Sequence, residues 1–152
     1  MPVVLNPYLT FPGTARDAMT FYQSVFGGDL NVSTFGEYGA EGDDTDGVMH
    51  AQLQTPSGMV LMASDTAPGT GDGYTPGTHM SVSISGDDEA IRGYWQGLSE
   101  GATVTMPMEK QMWGDEFGML TDRFGIPWMV NIGTGAADAP ADADADAGSA
   151  QN

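Results

Sequence analysis

The chain carries two imidazoles, His50 and His79, and no cysteine. Histidine changes charge near neutral pH, so either residue can act as a general base or as a donor that orients a bound molecule. Each can equally be a hydrogen-bonded polar residue in a half-buried sheet. The lack of cysteine removes thiol nucleophiles, thiolate metal sites and disulfides together, and makes a reducing cytoplasm the simplest compartment. No serine sits in a GxSxG turn, so no Ser-His-Asp arrangement is expected. Asp65, Glu109, Glu116 and Asp122 fall at expected strand ends or loops, where acids are ordinarily solvated, which argues against paired carboxylates. Trp113, in the loop WGDEFG, reads either as a lid over a binding surface or as a core plug. The 11 methionines read mostly as core filler, with Met62, Met119 and Met129 available as an adaptable pocket wall.

The charge balance excludes whole classes of partner. The 152 residues hold 21 acids against four bases, a net charge of -17. Arg16, Arg92, Lys110 and Arg123 are too few and too scattered to neutralise a phosphate backbone, so neither nucleic acid nor an anionic membrane is an expected partner. The acidity reads as a solubility device. With 40% hydrophobic residues the chain can bury the core of one domain or of two small fused modules. No run approaches the ~20 apolar residues of a membrane span, and Met1–Phe11 lacks the basic flank and apolar run of a signal peptide. Residues 135–152, composed of Ala, Asp, Gly, Pro, Ser, Gln and Asn, are expected to form a disordered acidic tail. Its alternating Asp142, Asp144 and Asp146 lack the turn glycine and distal glutamate of a calcium loop, and Glu41–Asp46 reads as a solvated turn.

The elements that must position the histidines come in two copies. A shift of 73 sets Asn6 on His79, Gly13 on Gly86, Phe21 on Tyr94, Gln23 on Gln96 and Gly28 on Gly101. Further on, a shift of 67 sets Leu53 on Leu120, Gly58 on Gly125 and Met62 on Met129. Ordered matches at constant offset mark a duplicated module. Module 1 covers about 1–65, a linker about 66–78, and module 2 about 79–134. Strands are predicted over Leu5–Phe11, Leu30–Tyr38, Val48–Thr55 and Met59–Ser64, then over His79–Ser85, Thr103–Met108, Glu116–Asp122 and Trp128–Ile132. Helices are predicted over Thr14–Phe26, with the stripe Ala18, Phe21, Tyr22, Val25, and over Asp88–Leu98, with the stripe Ile91, Tyr94, Trp95, Leu98. Thr14 with Asp17 reads as the N-terminal cap of the first. The order is βαβββ twice, an α+β chain.

The segments LNPYLTF, FYQSVFGGDL, VMHAQL and above all WGDEFGMLTDRFGIPWMVN resemble the PhnB-like branch of the vicinal oxygen chelate superfamily, which includes glyoxalases, bleomycin-resistance proteins and dioxygenases. The resemblance runs from about Leu5 to Ile132. It implies βαβββ modules whose sheets curl into a cup around a small-molecule site, and relatives that commonly pair as homodimers. Some members of the branch carry the label of a ubiquinone-pathway methyltransferase. This sequence lacks a GxGxxG-type loop between a strand and a helix, so nothing local supports S-adenosylmethionine binding.

The period of the strands then sorts the cup's contents. If Met80, Val82 and Ile84 face the helix, the cup receives His79, Ser81 and Ser83, and by the repeat Asn6, Tyr8 and Thr10. Leu53 and Leu120 belong on the helix side, which sends His50, Gln52, Phe117 and Met119 into the cup. The last strands contribute Met62, Ser64, Met129 and Asn131. The superfamily's metal enzymes take ligands from the first and last strands of each module, positions that correspond here to Asn6, Met62, His79 and Met129. Only His79 suits a borderline or hard divalent metal. The expectation is a homodimeric, cytoplasmic protein that binds a small organic molecule, with no metal or other cofactor. The rivals are a metal-dependent lyase, isomerase or dioxygenase using His50 and His79, and a structural or regulatory dimer with a vestigial site.

Overall fold

The computed structural model describes residues 3–39, 45–66, 74–77 and 79–133. Most of the expected linker and the whole of the expected acidic tail lie outside the described residues. The chain divides into two compact units, Met1–Met80 and Ser81–Asn152. Each has the predicted βαβββ order. The first contains β1 (Tyr8–Phe11), α1 (Ala15–Phe26), β2 (Asp29–Thr34), β3 (Val48–Gln54) and β4 (Val60–Asp65). The second contains β5 (Val82–Gly86), α2 (Ala90–Leu98), β6 (Thr103–Lys110), β7 (Glu116–Thr121) and β8 (Pro127–Ile132).

Both sheets have the same topology, β1-β4-β3-β2 and β5-β8-β7-β6, with the first pair of strands parallel and the others antiparallel. The helix covers one face. In the first module Phe11, Ala51, Leu53, Leu61 and Ala63 are buried with Ala15, Ala18, Met19, Tyr22 and Phe26 of α1. Phe21 and Val25, expected in the stripe, are only half-buried, because the stripe is centred one position earlier, on Met19 and Tyr22. In the second module Ile84, Leu120, Trp128, Val130 and Ile132 are buried with Ile91 and Leu98 of α2. The duplicated turn is visible in atoms: Thr55 donates its N–H to Met59 and accepts from Gly58, and Asp122 does the same with Ile126 and Gly125.

Three predicted boundaries shift by three residues or more. The strand expected to run to Tyr38 stops at Thr34 and is followed by a 3-10 turn over Gly36–Tyr38. Thr34 and Glu37 bond each other's backbone N–H, at 3.2 and 3.3 Å, in a capping box that the sequence TFGE already spells. The strand expected from His79 begins at Val82, whose partner Trp128 is the second residue of β8; Pro127, with no N–H, opens that strand. Met80 is therefore 71% exposed rather than on the helix side. Likewise β1 begins at Tyr8 instead of Leu5.

The expected cap of α1 is also corrected. Thr14 makes no side-chain cap bond. Asp65, at the end of β4, instead accepts the N–H groups of Gly13 and Ala15 on Oδ1 and that of Val48 on Oδ2, all at 2.9 Å. Asp122 is buried too, accepting from Phe124 and Ile126 N–H and from the Trp128 indole. Neither is the solvated acid that its place at a strand end suggests. A buried carboxylate persists where fixed N–H donors replace its water.

In the second module Arg92 of α2 reaches Glu116 of β7 at 2.7 Å and Glu89 at 3.2 Å. The hydrogen bond from Arg92 holds the Glu116 carboxyl below its ordinary value of 4.5, and the two carboxylates raise Arg92. A lowered carboxyl stabilises the fold above its unfolded pKa, and that contribution disappears as pH falls through the folded value. The Tm of Glu116→Gln is accordingly expected to equal that of the parent at strongly acidic pH and to fall slightly below it at pH 7. Since the pair is part-exposed, about 1 M NaCl should erase the difference.

Candidate functional site

Each module presents an open sheet face opposite its helix. On the first, the register sets Tyr8 beside Met62, Met62 beside Gln52, and Gln52 beside Asn31, in one row across all four strands. Thr10 beside Ser64 and His50 beside Ser33 belong to the next row. The Tyr8 hydroxyl and His50 Nδ1 lie 3.0 Å apart, with ring centroids at 5.6 Å, although the residues are 42 positions apart in sequence. When the phenol donates, Nδ1 accepts and Nε2 carries the proton; when Nδ1 donates, Nε2 is a free lone pair. The direction of this bond and the tautomer of His50 go together, and with them what the far nitrogen offers to a bound molecule. That is the arrangement of an orienting donor or of a proton carrier. The sequence places both residues in one cup, but nothing local signals their contact.

On the second module's open face, Ser85, Asn131, Phe117 and Glu109 form one row, and Ser83, Met129, Met119 and Met106 another. Trp113 meets Phe117 edge-on, with centroids at 6.0 Å and planes at 66°. Trp113 is exposed, so the reading as a core plug fails and the aromatic pair stands on the open face. Asn131 donates to Asp115 Oδ2 at 2.9 Å. Asp115, Met106, Asn31 and Ser33 are members of these faces that the sequence reading passes over. Period-2 alternation along β2 signals Asn31 and Ser33, whereas Met106 depends on a bulge in β6.

Three expected residues stand off the faces. Asn6 precedes β1, and His79 and Ser81 precede β5, outside any ladder. Among the described residues no group of three or more His, Cys, Asp or Glu side chains could hold a metal ion. An amide, two thioethers and one exposed imidazole are a poor donor set for a divalent cation, which needs anionic or imidazole ligands to offset dehydration. A separate open groove of about 430 Å³ lies at the N-terminal end of α1, lined by Arg16, Asp17, Phe35, Asp46 and Thr66, with Asp65 already engaged by three backbone donors.

These paired βαβββ modules, with the TDRFG turn leading into PWMVN, invite comparison with known proteins. The model of the family described as 3-demethylubiquinone-9 3-methyltransferase matches residues 4–131. The chain belongs to that family. A crystal structure of protein PA1353 from Pseudomonas aeruginosa is 36% identical, covers 87% of this chain and 98% of its own, and superposes with a TM-score of 0.76. The PhnB protein of Bacillus cereus is 25% identical over 86% of this chain and 99% of its own, with a TM-score of 0.66. A glyoxalase/bleomycin resistance protein/dioxygenase superfamily member from Sphaerobacter thermophilus, 20% identical over 86% and 98% of the two chains, shares the fold at a TM-score of 0.53. The PhnB-like chain thus shares its α+β fold with that protein. No helix among the described residues of this family member is long and apolar enough to cross a membrane.

Proposed function

We propose that this PhnB-like protein binds a small organic molecule against its open sheet faces and holds no divalent metal tightly. The observation that carries the reading is the Tyr8–His50 hydrogen bond, which fixes an imidazole on a face otherwise built of Gln52, Met62 and Ser64. Mixed apolar surface with a few oriented polar groups is the usual character of a small-ligand site. The exposed Trp113–Phe117 pair, Met119, Met129 and Asn131 give the second face the same character. The family description names a methyltransferase, but the residues do not fit S-adenosylmethionine. The β1–α1 link is Pro12-Gly13-Thr14 and the β5–α2 link is Asp87-Asp88-Glu89, neither of them a glycine-rich cofactor loop.

The test is a thermal-shift screen of aromatic and polar small molecules and of Zn(II), Mn(II) and Ni(II). A binder at 100 times its Kd should stabilise the fold by about 2.7 kcal/mol. Tyr8→Phe, which deletes one hydrogen bond, should weaken that binder about fivefold, and His50→Ala more. Elemental analysis after dialysis should find far less than one divalent ion per chain. A stoichiometric metal that His79→Ala abolishes would reverse the reading in favour of a glyoxalase-type enzyme. The reading also includes a homodimer, because among the described residues each four-stranded sheet keeps two edge strands, β1 and β2 in one and β5 and β6 in the other. Light scattering on a gel-filtration peak should give twice the 15.9 kDa chain mass at micromolar concentration; a mass of one chain rejects the dimer.

A further inference from the structure

We propose that Met106, Met119 and Met129 form a thioether site for a soft monovalent metal ion, Cu(I) or its redox-inert counterpart Ag(I), on the open face of the second module. The register pairs Met106 with Met119 and Met119 with Met129 across the antiparallel strands β6, β7 and β8. Directly paired residues point to the same face with Cβ atoms about 4.5–5.5 Å apart, so two methionines flank a third. Methionine is unbranched and has three rotatable side-chain bonds, so the outer sulfurs can converge on the central one.

The backbone is irregular where this alignment requires it. Val104 pairs with Leu120, so a regular ladder would set Thr105 opposite Met119. A register shift between Val104 and Met106 moves the chain on by one residue and sets Met106 there instead, and a second shift follows before Glu109. Bulges commonly re-aim a side chain in this way. Met106 is 39% exposed on the terminal strand and Met119 and Met129 are half-buried, which leaves the row open to an ion.

The donor chemistry selects the ion. Three neutral, polarizable sulfurs suit Cu(I) and Ag(I), and they give a hard dication no charge in exchange for its water. The net charge of -17 raises the local concentration of any cation. The site shares Met119 and Met129 with the small-molecule reading but does not depend on it.

The test is titration of the full chain with silver nitrate in chloride-free buffer, read by native mass spectrometry, and anaerobic competition for Cu(I) against a chromophoric chelator. One ion per chain is expected. Met106→Leu and Met119→Leu should each weaken it at least tenfold, while Met112→Leu, 97% exposed and off the row, leaves it unchanged. Leucine is close to methionine in volume, and circular dichroism tells whether each variant folds. If Met119→Leu fails to fold, Met106→Leu on the exposed edge strand gives the same readout. No saturable binding, binding unaffected by Met106→Leu, or displacement of Ag(I) by equimolar Zn(II) would each overturn the site.

Discussion

Asp65→Ala is expected to lower the unfolding free energy by about 4 kcal/mol, since each buried donor left unsatisfied costs roughly 1–3 kcal/mol. Three backbone N–H groups, from Gly13, Ala15 and Val48, converge on this one carboxylate at 2.9 Å. Removing it uncaps α1 and frees the start of β3 in a single change. Water entering from the adjoining groove offsets part of the loss, which keeps the figure below three full penalties. Asp65→Asn keeps one acceptor but turns an NH2 group toward a backbone donor, so it should cost about half as much, by the same reasoning. Urea titration followed by far-UV circular dichroism measures both. A loss under about 1 kcal/mol for Asp65→Ala would show that the cap is not structural.

Gly28→Ala should be nearly as damaging, and its repeat partner Gly101→Ala should not. Both glycines have positive φ, +102° and +74°, where an L side chain costs about 1 kcal/mol. The difference lies in what the new methyl meets. At Gly28 it would lie 2.1 Å from the Gln54 carbonyl oxygen and 2.8 Å from Thr55 Cα, so the end of β3 must move. At Gly101 the nearest atoms are 3.3–3.4 Å away on the flexible Arg123 side chain. Overpacking against backbone adds about 1–3 kcal/mol to the conformational cost, giving about 3 kcal/mol for Gly28→Ala and about 1 kcal/mol for Gly101→Ala. Equal losses at the two positions would refute the steric account.

The contrast between those glycines marks how far a repeat can be read. Equivalent positions share backbone conformation because the duplicated turn and strand pattern is local. Their neighbours differ, because each glycine meets the end of its module's third strand at a different point, the Gln54–Thr55 backbone in one and the Arg123 side chain in the other. The same division runs through the candidate site. Which residues share a face was legible: Ala51 and Leu53 are buried while His50 and Gln52 are not, and Gly118 and Leu120 are buried while Phe117 and Met119 are half-exposed. Where each strand begins was less so, since Asn6, His79 and Ser81 alternate correctly but lie before a ladder that starts at Tyr8 and Val82. Alternation continues through any extended segment, whereas a strand needs a partner with donors to spare.

The amino-acid sequence by itself determined the βαβββ order, the duplication, the helix-facing and open faces, and the family, because each rests on periodicity or on motifs a few residues long. The tertiary structure alone decided which side chains meet. Asp65 caps a helix 50 residues away, Tyr8 bonds His50 across 42 residues, and Met106 displaces Thr105 opposite Met119 through a bulge. In each case the partner is chosen by strand register and by the need to satisfy a buried donor. Those are properties of the assembled sheet, and no motif a few residues long contains both members of the pair.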